Sequence, residues 1–302
     1  MTDYALTEAE KAKFDRQGFL GPFKLFEREE ALEIWKKKIR PKLMQRDGAV
    51  FPGSLLNYDR HLDIPELQEI VTSPKVVDRL RSILGEEILC WRTEWFAKYP
   101  GDAGTEWHQA KKFFEFEGQP KLQPDRATEE ANEYWVLTVW IAFTDITRET
   151  SCMRFMPGSH KEDWYFDESK DGAFDADSAD HKGFFGYSWE DLKYNKDWKP
   201  DEAKAVDMEV EAGEFFFFTS KCLHGSFPNS SPDRSRFAMS ARYVLPEVHV
   251  YKDLERFKAL NEVLELDKYR PLLVSGTGKS SVNRFKTPDL ISDDARITGL
   301  PA

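Results

Sequence analysis

Four consecutive phenylalanines, Phe215-Phe216-Phe217-Phe218, flanked by Glu214 and Thr219, constrain the fold of this chain more than any other stretch. Side chains of an extended strand alternate between its two faces, so the run puts two aromatic rings on each side and leaves no face for water. A strand of that kind is stable only inside a sheet that is covered on both faces. Further strand signals lie at residues 88–99, 134–144, 152–156, 208–219 and 236–250. Before residue 86 the pattern is helical. Thr7-Glu8-Ala9-Glu10 has the spacing of a capping box, with Gly18 placed to end the helix it starts. Leu32, Trp35, Ile39 and Leu43 recur at helical intervals, as do Val76, Leu80 and Ile83 before Gly85. Helices followed by many short strands predict a mainly β fold with peripheral helices, built on a double-stranded β-helix (jelly roll, cupin-like) core.

Length and charge narrow the function. The 302 residues fit a single domain: 1–86 as a mainly helical cover, 87–250 as the jelly-roll core with a lid-like insertion at 162–207, and 251–302 as a C-terminal extension. The insertion is acidic and rich in aromatics, which argues for a binding loop. A net charge of -11 speaks against nucleic acid, whose phosphates demand clustered Lys and Arg. The chain has no apolar run long enough to span a membrane and no basic, apolar leader at Met1-Thr2-Asp3-Tyr4, so a cytoplasmic location is expected. Cys90, Cys152 and Cys222 lack metal-binding spacing and are expected to be reduced thiols. Gly276-Thr277-Gly278-Lys279-Ser280 ends like a phosphate-binding loop, but Leu273 stands where the first glycine belongs, so it is expected to be a turn.

The chemistry is carried by three places. His224 lies just beyond the phenylalanine strand. In Arg236-Phe237-Ala238-Met239-Ser240-Ala241-Arg242-Tyr243 polar and apolar residues alternate, so Arg236 and Arg242 share one face with Ala238 and Ser240. An arginine there suits the far carboxylate of a dicarboxylate ligand, because its planar fork binds carboxylates in two-point fashion. Far upstream stands His108-Gln109-Ala110. In a two-histidine, one-carboxylate iron site, an H-x-D/E pair supplies two ligands from one face of a strand and a distant histidine completes the set. Ala110 occupies the carboxylate position and can neither ligate nor fill it. A halide anion would restore both the missing ligand and the missing charge. Taken singly, His108 reads as well as a hydrogen-bonded core histidine and His224 as a loop residue. The order of histidine, second histidine and arginine-bearing strand is what favours the metal.

Longer motifs strengthen this. Gly18-Phe19-Leu20-Gly21-Pro22-Phe23, Asn57-Tyr58-Asp59-Arg60-His61-Leu62-Asp63, Cys90-Trp91-Arg92-Thr93-Glu94, Tyr99-Pro100-Gly101-Asp102, Trp107-His108-Gln109-Ala110, Thr138-Val139-Trp140, Lys182-Gly183-Phe184-Phe185-Gly186-Tyr187 and Ala241-Arg242-Tyr243-Val244 occur in that order. With them the chain resembles the syringomycin-type, non-heme Fe(II)/2-oxoglutarate-dependent aliphatic halogenases, chlorinating enzymes of the phytanoyl-CoA dioxygenase-like superfamily. The resemblance implies that His108 and His224 ligate Fe(II) and that chloride takes the position opened by Ala110. It implies Arg236, Thr105 and Trp140 around 2-oxoglutarate, and Phe113, Thr138 and Arg242 around the halide. Glu94, Phe184 and Phe185 would line the substrate pocket. The stretch 111–117 is more charged than the family pattern, and the loop between His224 and Arg236 is one residue shorter.

What the resemblance implies chemically is radical chlorination, with O2 as co-substrate, of an unactivated carbon in an amino acid tethered to the phosphopantetheine arm of a carrier protein, as in nonribosomal peptide antibiotic biosynthesis. A halogenase acting on a free small molecule is one alternative. Another is a hydroxylase of the same fold with water or Glu115 as third ligand. A non-catalytic binding protein on a degraded iron scaffold is the third. No nucleic-acid or membrane partner is expected. His61, His160, His181 and His249 are expected to be structural.

Overall fold

A computed structural model describes residues 4–110, 113, 120–131, 134–162, 164–167, 189–259, 262–289 and 297. Helix α1 (Glu8–Gln17) starts with the capping box, Thr7 and Glu10 bonding reciprocally, and ends at Gly18 with φ of 83°. Strand β1 (Phe19–Lys24) follows. Helix α2 (Arg28–Glu33) then passes through a π-helical turn (Ile34–Ile39) into α3 (Arg40–Leu43), with Trp35, Ile39 and Leu43 buried. Helices α4 (Pro65–Thr72) and α5 (Pro74–Leu84) each open on a proline, whose fixed φ suits the first helical turn.

The remaining elements are mostly strands: β2 (Ile88–Trp95), β3 (Thr105–His108), β4 (Leu122–Gln123), β5 (Val136–Ala142), β6 (Met153–Phe155), β7 (Val206–Met208), β8 (Glu214–Thr219), β9 (His224–Ser226), β10 (Ala238–Val244), β11 (His249–Val250), β12 (Arg256–Ala259), β13 (Glu262–Glu265) and β14 (Leu272–Ser275), with short helices α6 (Arg126–Ala131) and α7 (Trp189–Leu192) between them. The main sheet has the order β1-β8-β5-β10-β2-β14, and a smaller one the order β3-β9-β6-β7. These two sheets form the jelly roll. The phenylalanine strand β8 is internal, between β1 and β5. Phe215 and Phe217 join the core that packs under the helices, with Phe14, Leu67, Val76 and Leu80. Phe216 and Phe218 point the other way, into the space between the sheets, with Trp140, Phe155 and Ala238.

The main sheet is wider than the sequence suggests. β1 lies in the stretch expected to be helical, and β14 in the expected C-terminal extension. Pro22 explains why β1 is at an edge: proline has no N–H for a ladder, and the register of β1 on β8 slips between Leu20 and Phe23. The expected strand 208–219 is two strands, separated where Gly213 takes φ of 88°. All three cysteines are free and buried. Around 276–280 the chain turns as expected, with N–H groups of Thr277 and Gly278 donating to Glu87 at 2.8 and 2.6 Å.

Candidate active site

His108 and His224 are cross-strand partners on the two adjacent strands β3 and β9 of the smaller sheet. Their rings lie 4.1 Å apart, centroid to centroid, at 52°. Close pairing of β3 and β9 depends on Gly225, where a Cβ would meet the Thr105 carbonyl oxygen at 2.8 Å. Each histidine uses Nδ1 on a backbone carbonyl two residues earlier, His108 on Glu106 and His224 on Cys222, both at 2.8 Å. A carbonyl only accepts, so each Nδ1 carries the proton and each Nε2 the lone pair. Burial pulls His108 down to about 4 and holds His224 well below the ordinary histidine range, so both rings are neutral near pH 7. Two neutral imidazoles with backbone-fixed Nδ1–H groups are the arrangement that metal-binding histidines adopt.

Beyond His108 the chain continues beside the β8–β9 connection, with Ala110 N–H donating to Ser220 O at 3.0 Å. Gln109 is fully buried as a clamp: its side chain donates to Lys221 O at 2.7 Å and accepts from Tyr165 N–H at 2.9 Å. Ala110 stands two residues after His108, just beyond the end of β3. Among the described residues no third His, Cys, Asp or Glu completes a metal-binding group with the histidine pair. Glu115 lies outside the described residues, as do Phe184, Phe185 and His181.

The opposite wall belongs to the main sheet. Phe218 packs 4.7 Å from His224, Thr138 is its cross-strand partner, and Arg242 is the partner of Thr138 on the other side. Arg242 is buried and donates to Glu94; Glu94 also accepts from Arg92 at 3.2 Å. Arg92 in turn donates to the Tyr251 hydroxyl and lies 3.8 Å from Asp59. Burial opposes ionisation of Glu94, but Arg242 and Arg92 outweigh it and keep its carboxyl below the ordinary range. Glu94 is therefore held between two cations. Phe113 lies with Arg242 5.0 Å above its ring and Trp91 edge-on at 5.4 Å.

Arg236 sits at the far end of the same face, in a bridge beside Lys98, with its guanidinium 5.3 Å from the Trp140 ring centroid. Its Nη1 donates to the carbonyl and hydroxyl of Ser151. Its Nε is buried without a hydrogen-bond partner among the described residues. Burial lowers the guanidinium to about 10. A buried, incompletely partnered arginine fits a carboxylate. Thr105 is on β3, its N–H donating to Ser226 Oγ at 3.1 Å.

The sequence reading missed Asp59, Arg92, Tyr251 and the clamp made by Gln109. Arg92 and Glu94 were detectable as charges inside an apolar strand, a position charges rarely hold unpaired. Tyr251 gave no local signal. Among the other histidines, His61 is buried, its Nδ1 2.9 Å from the Thr93 hydroxyl, and His160 Nε2 donates to Asp15 O at 2.9 Å.

Comparison with known proteins gives the family. The phytanoyl-CoA dioxygenase (PhyH) profile matches residues 14–238. The chain belongs to the phytanoyl-CoA dioxygenase family. It is thus placed among the Fe(II)/2-oxoglutarate-dependent oxygenases, and so among the oxidoreductases. A solved structure described as CytC3 with Fe(II) and alpha-ketoglutarate is 32% identical, covers 94% of both chains and superposes with a TM-score of 0.73. A non-heme monooxygenase described as the ThoJ-Ni complex is 22% identical over 93% of this chain and 88% of that one, at a TM-score of 0.61, which supports the fold alone. Among curated proteins, a probable alpha-ketoglutarate-dependent hypophosphite dioxygenase of Stutzerimonas stutzeri is 27% identical over 183 residues. That match covers 59% of this chain and 53% of the relative, so the chain spans about half of its length. No helix among the described residues is long and apolar enough to cross a membrane.

Proposed function

We propose that this member of the family is a halogenase, which chlorinates an unactivated aliphatic carbon of an amino acid tethered to a carrier protein. The observation that carries the reading is Ala110 at the position two residues after His108, beside a histidine pair that gains no further metal-binding side chain among the described residues. His108 and His224 would hold Fe(II) through their Nε2 atoms, and chloride would complete the set at the methyl group of Ala110. Iron with 2-oxoglutarate and O2 supplies the oxidising power for breaking a C–H bond.

The rest is the work of this chain's own residues. Arg236, stacked on Trp140, would bind the remote carboxylate of 2-oxoglutarate, with Thr105 nearby. Phe155 and Phe218 pack on the ring of His224 and would help to exclude water from its side of the site. Thr138 and Arg242 would face the halide, with Glu94 cancelling enough of the arginine's charge to keep it from drawing the anion away from the metal. Substrate placement would then decide between chlorination and hydroxylation, which compete for one carbon radical.

Anaerobic assembly with Fe(II), 2-oxoglutarate and chloride, then exposure to O2 with a panel of aminoacylated carrier proteins, tests the reading by intact mass. Replacement of one hydrogen by chlorine is expected. In Ala110→Asp the carboxylate takes the halide's place, and chlorination should vanish. Undiminished chlorination by that variant would refute the halide position. The dioxygenase name of the hypophosphite relative favours a second reading, hydroxylation. Product formed equally well without chloride would decide for it.

A further inference from the structure

Lys98 and Arg236 form an antiparallel bridge, Lys98 N–H donating to Arg236 O at 3.0 Å and Arg236 N–H to Lys98 O at 2.8 Å. Residues that exchange both bonds stand side by side, Cα atoms about 5.5 Å apart, with side chains on one face. Both side chains are buried, at 6% and 2% exposure. Two neighbouring cations in a dry corner repel each other and lose hydration, an arrangement that an anion between them would reverse. Nearby Asp102 exerts an opposite field on both, but one of its oxygens caps its own turn by accepting Tyr99 N–H at 2.7 Å. Arg236 makes no ion pair among the described residues, and its buried Nε lacks a partner there. The backbone of Lys98 is fixed further by Asn229, whose side-chain amide donates to its carbonyl at 3.0 Å.

We propose that Lys98 is a second cationic contact for the remote carboxylate of 2-oxoglutarate, acting beside Arg236 from the other side of their bridge. Arginine supplies the directional fork and lysine a compact charge that tolerates more than one geometry. The inference rests on 2-oxoglutarate being the co-substrate and not at all on halogenation. Lys98 also donates from Nζ to Ala103 O, so a purely structural role is the reading it must beat.

The test is equilibrium binding to the Fe(II)-loaded protein under anaerobic conditions, with 2-oxoglutarate and with 2-oxopentanoate, which lacks the remote carboxylate. Lys98→Met should weaken 2-oxoglutarate binding by about tenfold to a hundredfold, the usual range for a lost hydrogen bond to a charged group. Lys98→Arg should stay within a few-fold of the wild type, and 2-oxopentanoate should bind wild type and Lys98→Met alike. Unchanged 2-oxoglutarate affinity in Lys98→Met, or equal weakening of both keto acids, would overturn the proposal. Should Lys98→Met fail to fold, Lys98→Gln keeps a donor for Ala103 O and is held to the same two criteria. A wild-type protein that binds no 2-oxoglutarate would instead strike down the co-substrate reading, and this inference with it.

Discussion

Arg236, in a bridge just before β10, and Arg242, within β10, stand six residues apart, and their surroundings are opposite. Arg242 is neutralised inside the protein: Glu94 bridges it to Arg92, and Arg92 is close to Asp59. Arg236 is as deeply buried, yet among the described residues it has no carboxylate, only Ser151 and the face of Trp140. A buried charge without a counter-charge is costly, so such a site persists where a ligand supplies the missing partner. Under the proposed function, the difference gives Arg236 to a ligand brought from outside and Arg242 to the wall of the site.

The largest expected effect separates the two directly. Arg236→Gln should weaken 2-oxoglutarate binding by more than about a hundredfold, since a desolvated charge pair is lost, while Arg242→Gln should change it by no more than a few-fold. Calorimetric titration of both variants with 2-oxoglutarate measures this. Equal losses would erase the distinction.

Next in size is the effect on stability, and it should run the other way. Arg242→Met leaves Glu94 buried with only Arg92 to face, and should cost roughly 3–5 kcal/mol in urea unfolding. Arg236→Met removes a cation that already lacks an acid among the described residues, and should cost less than that. In the double variant Arg242→Met/Glu94→Met neither member of that pair is left facing a missing partner, and Arg92 keeps only Asp59, so its loss should fall short of the sum of the two single losses. Strict additivity would show that the pair is not coupled.

This contrast was only half legible in the sequence. Alternation gave the shared face of Arg236 and Arg242, and the phenylalanine run gave a strand covered on both sides, because both are local consequences of strand geometry. The adjacency of His108 and His224 depends on pairing between strands 116 residues apart, which chain order hinted at but local pattern could not fix. What separates the arginines is more distant still: Glu94 reaches Arg242 from β2, and Tyr251 reaches Arg92 from beyond β10. Charge partners that meet only through tertiary packing leave no periodic trace. Strands β1 and β14 were missed for a related reason, since edge strands carry glycine, proline or short apolar runs and take their identity from the strand they pair with.

The smallest expected effect concerns the far end of the charge chain. Asp59 is fully buried; its Oδ1 accepts Thr93 N–H at 3.0 Å, and its Oδ2 has no partner among the described residues. Burial raises its carboxyl to about 7, against the attraction of Arg92. The folded state therefore binds this proton more tightly than the unfolded chain, whose carboxyl titrates at ~3.9. The stabilisation is complete below that unfolded value and is lost as pH rises through about 7. Asp59→Asn, which cannot ionise, should flatten the decline in urea midpoint between about pH 4 and pH 8, whereas substitution at Arg236, outside this chain of charges, should leave the slope in place. A slope unchanged by Asp59→Asn would mean that Asp59 stays ionised throughout, with Arg92 winning over burial, and that all four members of the chain are charged at neutral pH.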